Sequence, residues 1–186
     1  DDKDLLKKMR KSGCWNIFFG YETGVEELAK NIQTNKKNRD FEKMKRIAKW
    51  TREAGIEVRA GFLVGLPGET PKLAKKTIQT AIELDPDYAQ FTVCCPYPGT
   101  KLANEIHEGK WGKFITHDLK EYNMWKVTWL PFGYKNAEEL KNMERYAFRK
   151  FYLRPSYVVR KILAIRSFED IKRYIKGGRA LVKGFL

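Results

Sequence analysis

Residues 57–68 read Glu57-Val58-Arg59-Ala60-Gly61-Phe62-Leu63-Val64-Gly65-Leu66-Pro67-Gly68, an alternating run that ends in a glycine-proline turn. Successive strand side chains point to opposite sides, so Val58, Ala60, Phe62 and Val64 share one face while Arg59, Gly61 and Leu63 share the other. The first face is apolar enough to lie under helices. The second is mixed. Cys14 to Gly20 repeats the division, with Trp15, Ile17, Phe19 and Tyr21 opposing Asn16, Phe18, Gly20 and Glu22. Ala89 to Cys95 does so again, with Phe91, Val93 and Cys95 opposing Gln90, Thr92 and Cys94.

Helical periodicity fills the gaps between these strands. It runs over Val25–Asn31, over Phe41–Ala54 with Gly55 as a stop, and from Thr70 or Pro71 to Leu84, where Asp85-Pro86-Asp87 breaks it. Strands that alternate with helices predict parallel β/α units. A greasy outer and a partly polar inner face predict a barrel that is covered by helices outside and lined by a ligand inside. Three turns fall at the C-terminal ends of the strands, where active sites of such architectures gather: Glu22, Gly65-Leu66-Pro67-Gly68-Glu69-Thr70 and Pro96-Tyr97-Pro98-Gly99-Thr100.

Beyond Trp111 the texture becomes aromatic and basic. Helical periodicity returns over Ala137–Tyr152, breaks at Arg154-Pro155, resumes to Ile165, and runs again from Phe168 to Ile175 before Gly177-Gly178. The division expected is therefore 1–110 and 111–186. With 186 residues, 42% hydrophobic, the chain can bury a real core. It reads as soluble and cytoplasmic, because no apolar run approaches the roughly 20 residues of a membrane span and Asp1-Asp2-Lys3-Asp4 is no secretion signal. Three cysteines, two of them adjacent, give no disulfide framework and suit a reducing compartment. The net charge of +14 is concentrated in the tail, where Arg145 to Leu186 holds twelve Lys or Arg against Glu169 and Asp170. Such a tail is either a solvated helical surface or a patch for anionic lipid, nucleic acid or an acidic substrate.

Gly20-Tyr21-Glu22-Thr23-Gly24, Gly61 to Thr70 and Pro96 to Thr100, in this order and spacing, resemble the last three strands of the radical S-adenosylmethionine (SAM) partial barrel. Phe151-Tyr152-Leu153-Arg154-Pro155 and Lys176-Gly177-Gly178 resemble the C-terminal extension of its cobalamin-binding branch, which includes relatives of the anaerobic magnesium-protoporphyrin monomethyl ester cyclase and hopanoid methylases. The fold implied is α/β, the C-terminal half of a partial (β/α)6 TIM-like barrel with three parallel strands, followed by a mainly helical basic extension.

The resemblance also implies cofactors: SAM, a [4Fe-4S] cluster held by a CxxxCxxC motif, and cobalamin on a separate domain. This chain has no such motif. The resemblance therefore implies an upstream half that carries the cluster, and a fragment that does not catalyse alone. Cys14, Cys94 and Cys95 read as small buried hydrophobes. Carried over by position, Glu22 contacts the SAM ribose, against the plainer reading of a carboxylate that satisfies its own turn. Gly61, Leu63 and Gly65 match a pattern in which the branched residue lies on adenine and the glycines admit the ligand, against tight packing alone. Lys36, with Lys37 competing, stands near a basic residue for the SAM carboxylate or is simply solvated. Pro96 and Tyr97 offer backbone groups to the adenine edge or form a structural turn. Glu69 falls one place past the pattern's acid and receives no contact. Arg59, on the side of Gly61 and Leu63, is the candidate for an anionic substrate group. His107 and His117 show no ligand spacing.

The reading is the SAM-binding part of a radical enzyme that works by 5′-deoxyadenosyl radical chemistry, as cobalamin-dependent methyl transfer or oxidative cyclisation of a lipid or tetrapyrrole. Two alternatives stand beside it. A methylthiotransferase would append a small β-barrel, which the helical tail argues against. A non-catalytic basic module would hold a membrane surface or polyanion peripherally. A cut barrel would also expose the Cys14–Gly20 edge to self-association.

Overall fold

The computed structural model describes residues 2–32 and 40–185, with the side chains of residue 173 and residues 180–185 left aside. Its order is α1 (Lys3–Lys11), β1 (Asn16–Glu22), α2 (Glu26–Asn31), α3 (Phe41–Glu53), β2 (Glu57–Val64), α4 (Pro71–Leu84), β3 (Tyr88–Val93) and α5 (Lys101–His107). There follow the short antiparallel pair β4 (Gly112–Phe114) and β5 (Trp129–Pro131), then α6 (Ala137–Tyr152), α7 (Pro155–Leu163) and α8 (Phe168–Phe185). The sheet has the order β1-β2-β3, all parallel, with Gly20 opposite Gly61 and Gly61 opposite Gln90. This is the expected α/β arrangement of three parallel strands, with a helical extension.

Strand parity holds where it was sharpest. Val58, Ala60, Phe62 and Val64 are all buried, and β2's alternate residues are half-exposed. The outer face carries a row of rings, Phe19, Tyr21, Phe62 and Phe91, with neighbouring centroids 5.5–5.9 Å apart. α4 and α6 cover it with Ile78, Leu140, Ala147 and Phe151 in one continuous core. β1 begins and ends two residues later than expected. Trp15 precedes it and is 57% exposed, its ring against the Arg59 guanidinium, so it does not join the apolar face. α1 and α5 are further departures, each too short to show a clear period but each capped, by Asp2 and Thr100. α8 runs straight through Gly177-Gly178, where the periodicity predicts a stop.

The extension closes the free side of β3. Tyr152 Oη donates to Ala89 O at 2.7 Å and accepts from Ala89 N at 3.1 Å, and Trp129 Nε1 donates to Cys94 O at 2.8 Å. The two bonds at Ala89 thus stand where a neighbouring strand would. At the opposite end of the sheet, the Asp85 carboxylate, at the left-handed C-terminus of α4, pairs with both Arg154 and Arg160. Arg52 reaches Asp85 O at 3.0 Å, and Tyr157 donates to Asp87 O at 3.0 Å. Part of the tail's positive charge is therefore used inside the fold.

Tyr152→Phe leaves the buried Ala89 N–H and C=O without their partner. Each such loss costs about 1–3 kcal/mol, and each kcal/mol lowers the midpoint by about 2–4 °C in a chain of this size. A thermal melt should show that drop with unchanged helix content.

Candidate functional site

The Gly20–Gly24 segment shows how a sequence motif presents one carboxylate. Tyr21 is buried in the outer core, which turns its neighbours to the inner face. Thr23 hydrogen-bonds Thr77 of α4 at 2.8 Å, and the Gly24 N–H donates to the same hydroxyl at 3.3 Å. A Cβ on Gly24 would lie 2.1 Å from Thr80 Oγ1, so only glycine lets the loop dock on α4. Between these anchors Glu22 takes φ 62, a left-handed conformation that costs a glutamate about 1–2 kcal/mol, and it sits at a break in the β1–β2 register. Its carboxylate folds back over Gly20, with Oε1 2.6 Å from where a Cβ would stand. Among the described residues no hydrogen bond or ion pair engages it.

Glu22 thus lies on Gly20, whose cross-strand partner is Gly61. Gly61 is covered from the other direction, since Phe18 Cζ would stand 2.7 Å from a Cβ there. Leu63 packs on the small cluster of Leu28, Leu66 and Cys94 at the same end of the sheet. Pro96 is buried, and Tyr97 is half-exposed, its ring 6.4 Å from Tyr122. The Tyr97 carbonyl accepts from Thr100 Oγ1 at 2.7 Å, in the turn that caps α5. Lys36 and Lys37 lie outside the described residues.

Gly65 and Arg59 sit elsewhere. Gly65 has φ +75, and a Cβ there would meet Leu140 of α6 at 2.9 Å, so the close approach is to a helix. Arg59 lies near the start of β2, about 20 Å along the strand from Gly65. Its Nε donates to Glu57 at 2.9 Å, and its guanidinium stands 5.2 and 5.4 Å from the Trp15 and Tyr88 rings. It lines an apolar cavity of about 810 Å³ together with Phe18, Gln90, Tyr157, Lys161 and Ile162.

The residue that position alone left without a contact is Glu69. It is fully buried, and its Oε1 accepts from Gly65 N at 2.5 Å and from Tyr134 Oη at 2.6 Å. Burial pushes its carboxyl up to about 7, against the pull of these bonds. The signal for it was the closing Glu-Thr of the turn, but its partner Tyr134 lies 65 residues away and could not be paired with it beforehand.

The three cysteines do not fit an iron–sulfur cluster. Cys14 precedes β1 and donates to Asn16 O at 3.4 Å, whereas Cys94 and Cys95 follow β3 at the opposite end of the sheet. Burial, then the Glu69 charge, pushes the Cys94 thiol up to about 12, the reverse of what a thiolate ligand needs. Among the described residues no group of three His, Cys, Asp or Glu could hold a metal. His107 and His117 stack at 5.8 Å, both against Phe114.

A parallel sheet with helices outside and a strained carboxylate at the end of β1 defines a segment of an α/β barrel. Residues 1–81 match the family model of the Radical SAM superfamily. It is 30% identical over 186 residues to an uncharacterised methyltransferase of Pyrococcus horikoshii, covering 95% of this chain and 37% of that protein. It is 28% identical over 153 residues to the anaerobic magnesium-protoporphyrin IX monomethyl ester cyclase of Cereibacter sphaeroides, covering 82% of this chain and 24% of the cyclase. The chain thus spans about a quarter to somewhat over a third of these relatives. The radical SAM methyltransferase TsrM of Kitasatospora setae, solved with cobalamin and a [4Fe-4S] cluster, superposes with TM-score 0.59 at 19% identity over 84% of this chain and 35% of TsrM. With tryptophan and a SAM analogue bound, TsrM gives TM-score 0.53 at 25% identity over 59% of this chain and 21% of TsrM. These relatives match the cobalamin-binding branch.

The Glu69 carboxyl sets a pH dependence. Because its folded value, about 7, exceeds the unfolded 4.5, the native state holds a proton that the unfolded state releases between them. Stability from this group is therefore fullest below about pH 4.5 and falls by about 3 kcal/mol as pH rises to 7. Glu69→Gln keeps an acceptor for Gly65 and Tyr134 and removes the titration. Denaturant unfolding across pH 5–8 should show the variant gaining on the parent as pH rises.

Proposed function

We propose that this chain supplies the ribose- and adenine-facing side of a SAM site in a radical enzyme of the cobalamin-linked kind, acting on a lipid or tetrapyrrole. The observation that carries it is Glu22, a carboxylate held in a costly backbone conformation over Gly20, with no hydrogen bond or ion pair among the described residues to explain it. A carboxylate accepts hydrogen bonds from a diol, which suits a ribose. Leu63, half-exposed near the end of β2, offers an apolar surface for adenine. Pro96 and Tyr97 border the same end, and the Tyr97 N–H is the backbone group proposed for the adenine edge.

When bound, SAM supplies a 5′-deoxyadenosyl radical or a methyl group in this chemistry. The residues of this chain orient the nucleoside and carry no redox step, in keeping with the misfit of its cysteines to a cluster. The cluster and cobalamin are proposed to come from the portion of the protein that aligns outside these residues in its relatives. The apolar cavity beside Arg59 and Lys161 suits an apolar molecule with an anionic group, held near the start of β2 and away from the strand ends where Glu22 sits.

Glu22→Gln in the full-length protein removes the charge that strengthens bonds from a diol, worth about 1–2 kcal/mol. SAM affinity measured by calorimetry should fall roughly tenfold, with iron content and thermal midpoint unchanged. Unchanged affinity would take Glu22 out of the site.

A further inference from the structure

α7 is built inside out. Its inward face carries Tyr157, Arg160 and Lys161: Tyr157 is buried against the Asp87 carbonyl, Arg160 pairs with Asp85, and Lys161 Nζ lies 4.2 Å from the Tyr88 ring centre. Its outward face carries Val158, Val159, Ile162 and Leu163, all exposed, with Leu163 at 78%. Helical spacing puts these four on one arc, because residues three and four apart are neighbours. In water an amphipathic helix turns this arc to the core.

α8 continues the surface. Phe168, Ile171 and Ile175 recur at three and four residues and are exposed, Phe168 at 70%. Lys172, Lys176 and Arg179 follow each of them by one or four residues and so lie along the same side, with Arg166 just before the helix. The two acids here are committed locally: Glu169 pairs with Lys172, and Asp170 caps the helix start through Ser167. Val158, Ile162 and Ile165 belong both to this exposed surface and to the lining of the 810 Å³ cavity, as do Gly177 and Gly178 of α8. The cavity therefore opens onto the aliphatic stripe.

We infer that the α7–α8 face docks on an anionic lipid bilayer and presents the cavity mouth to it. An aliphatic stripe bordered by cations sits at the boundary of acyl chains and phosphates, with the stripe in the chains and the Lys and Arg heads at the phosphates. A phosphate surface answers all the bordering cations at once, whereas a protein partner would have to bring its own acids to them. No described helix is long and apolar enough to cross a membrane, so the face lies on the surface. An amphiphile dissolved in the bilayer would then reach the cavity without crossing water. Only that last step rests on the substrate class proposed above; docking does not.

The experiment is flotation of the full-length protein with phosphatidylcholine vesicles, with and without phosphatidylglycerol. Binding is expected to the phosphatidylglycerol vesicles, and to weaken by at least about tenfold as salt rises to ~0.5 M. Leu163→Glu with Phe168→Glu should abolish it, and Lys172→Glu with Lys176→Glu should remove its salt-sensitive part. Neither pair should change the thermal midpoint or SAM affinity, which separates this test from that of Glu22. The inference is overturned if neither vesicle floats the protein, or if Leu163→Glu with Phe168→Glu leaves binding intact. It is also overturned if that pair lowers the midpoint without vesicles, which would mean that protein covers the face.

Discussion

The buried carboxyl of Glu69 is the constraint on which the strand-end architecture depends. One oxygen receives both the Gly65 N–H and the Tyr134 hydroxyl, so a turn at the end of β2 and a residue just before α6 share an acceptor. Only glycine can turn there, because φ is +75 and Leu140 fills the space a side chain would need. The position of α6 over the outer face and the shape of the turn are therefore set together. Asn31 adds a third element by donating to Pro67 O at 2.8 Å, which brings α2 to the same turn. Desolvating a carboxyl to achieve this is costly, and the cost is offset by fixing three elements at once.

The sheet was legible in the sequence because period-two alternation survives wherever one face is fully buried, as in Val58, Ala60, Phe62 and Val64. Legibility ended where burial did. Trp15 reads as core by type, yet its ring serves Arg59 at the surface. Gly177-Gly178 reads as a stop, but a helix with solvent on one side tolerates two glycines at a cost of about 1 kcal/mol each. α7 misleads in the opposite sense, since its periodicity is that of a helix while its faces are exchanged.

The candidate site was half legible. Glu22 stands at a register break that pairs it with Phe62, so strand parity alone could not place it, whereas Leu63 packs at the same end of the sheet. What sequence spacing could not supply was the set of long-range partners. Thr77 and Thr80 on α4 give the Thr23-Gly24 pair its purpose, and they are separated from it by more than fifty residues. Gly65 belongs to the same motif as Gly61, yet it meets α6, because a turn carries the chain off the inner face within two residues. Arg59 shares parity with Gly61 but not height, and parity says nothing about distance along a strand.

The hydroxyl of Tyr152 and the indole of Trp129 give the sheet a direction of growth. The Ala89 groups at the start of β3's outer edge are taken by Tyr152. β1 has no strand on its outer side among the described residues. A further strand would meet an edge at β1 that no described strand covers, in line with the parallel order already present. The C-terminal extension is thus a terminus in the architectural sense: it fixes where the arc ends and leaves its length to be decided at the other side.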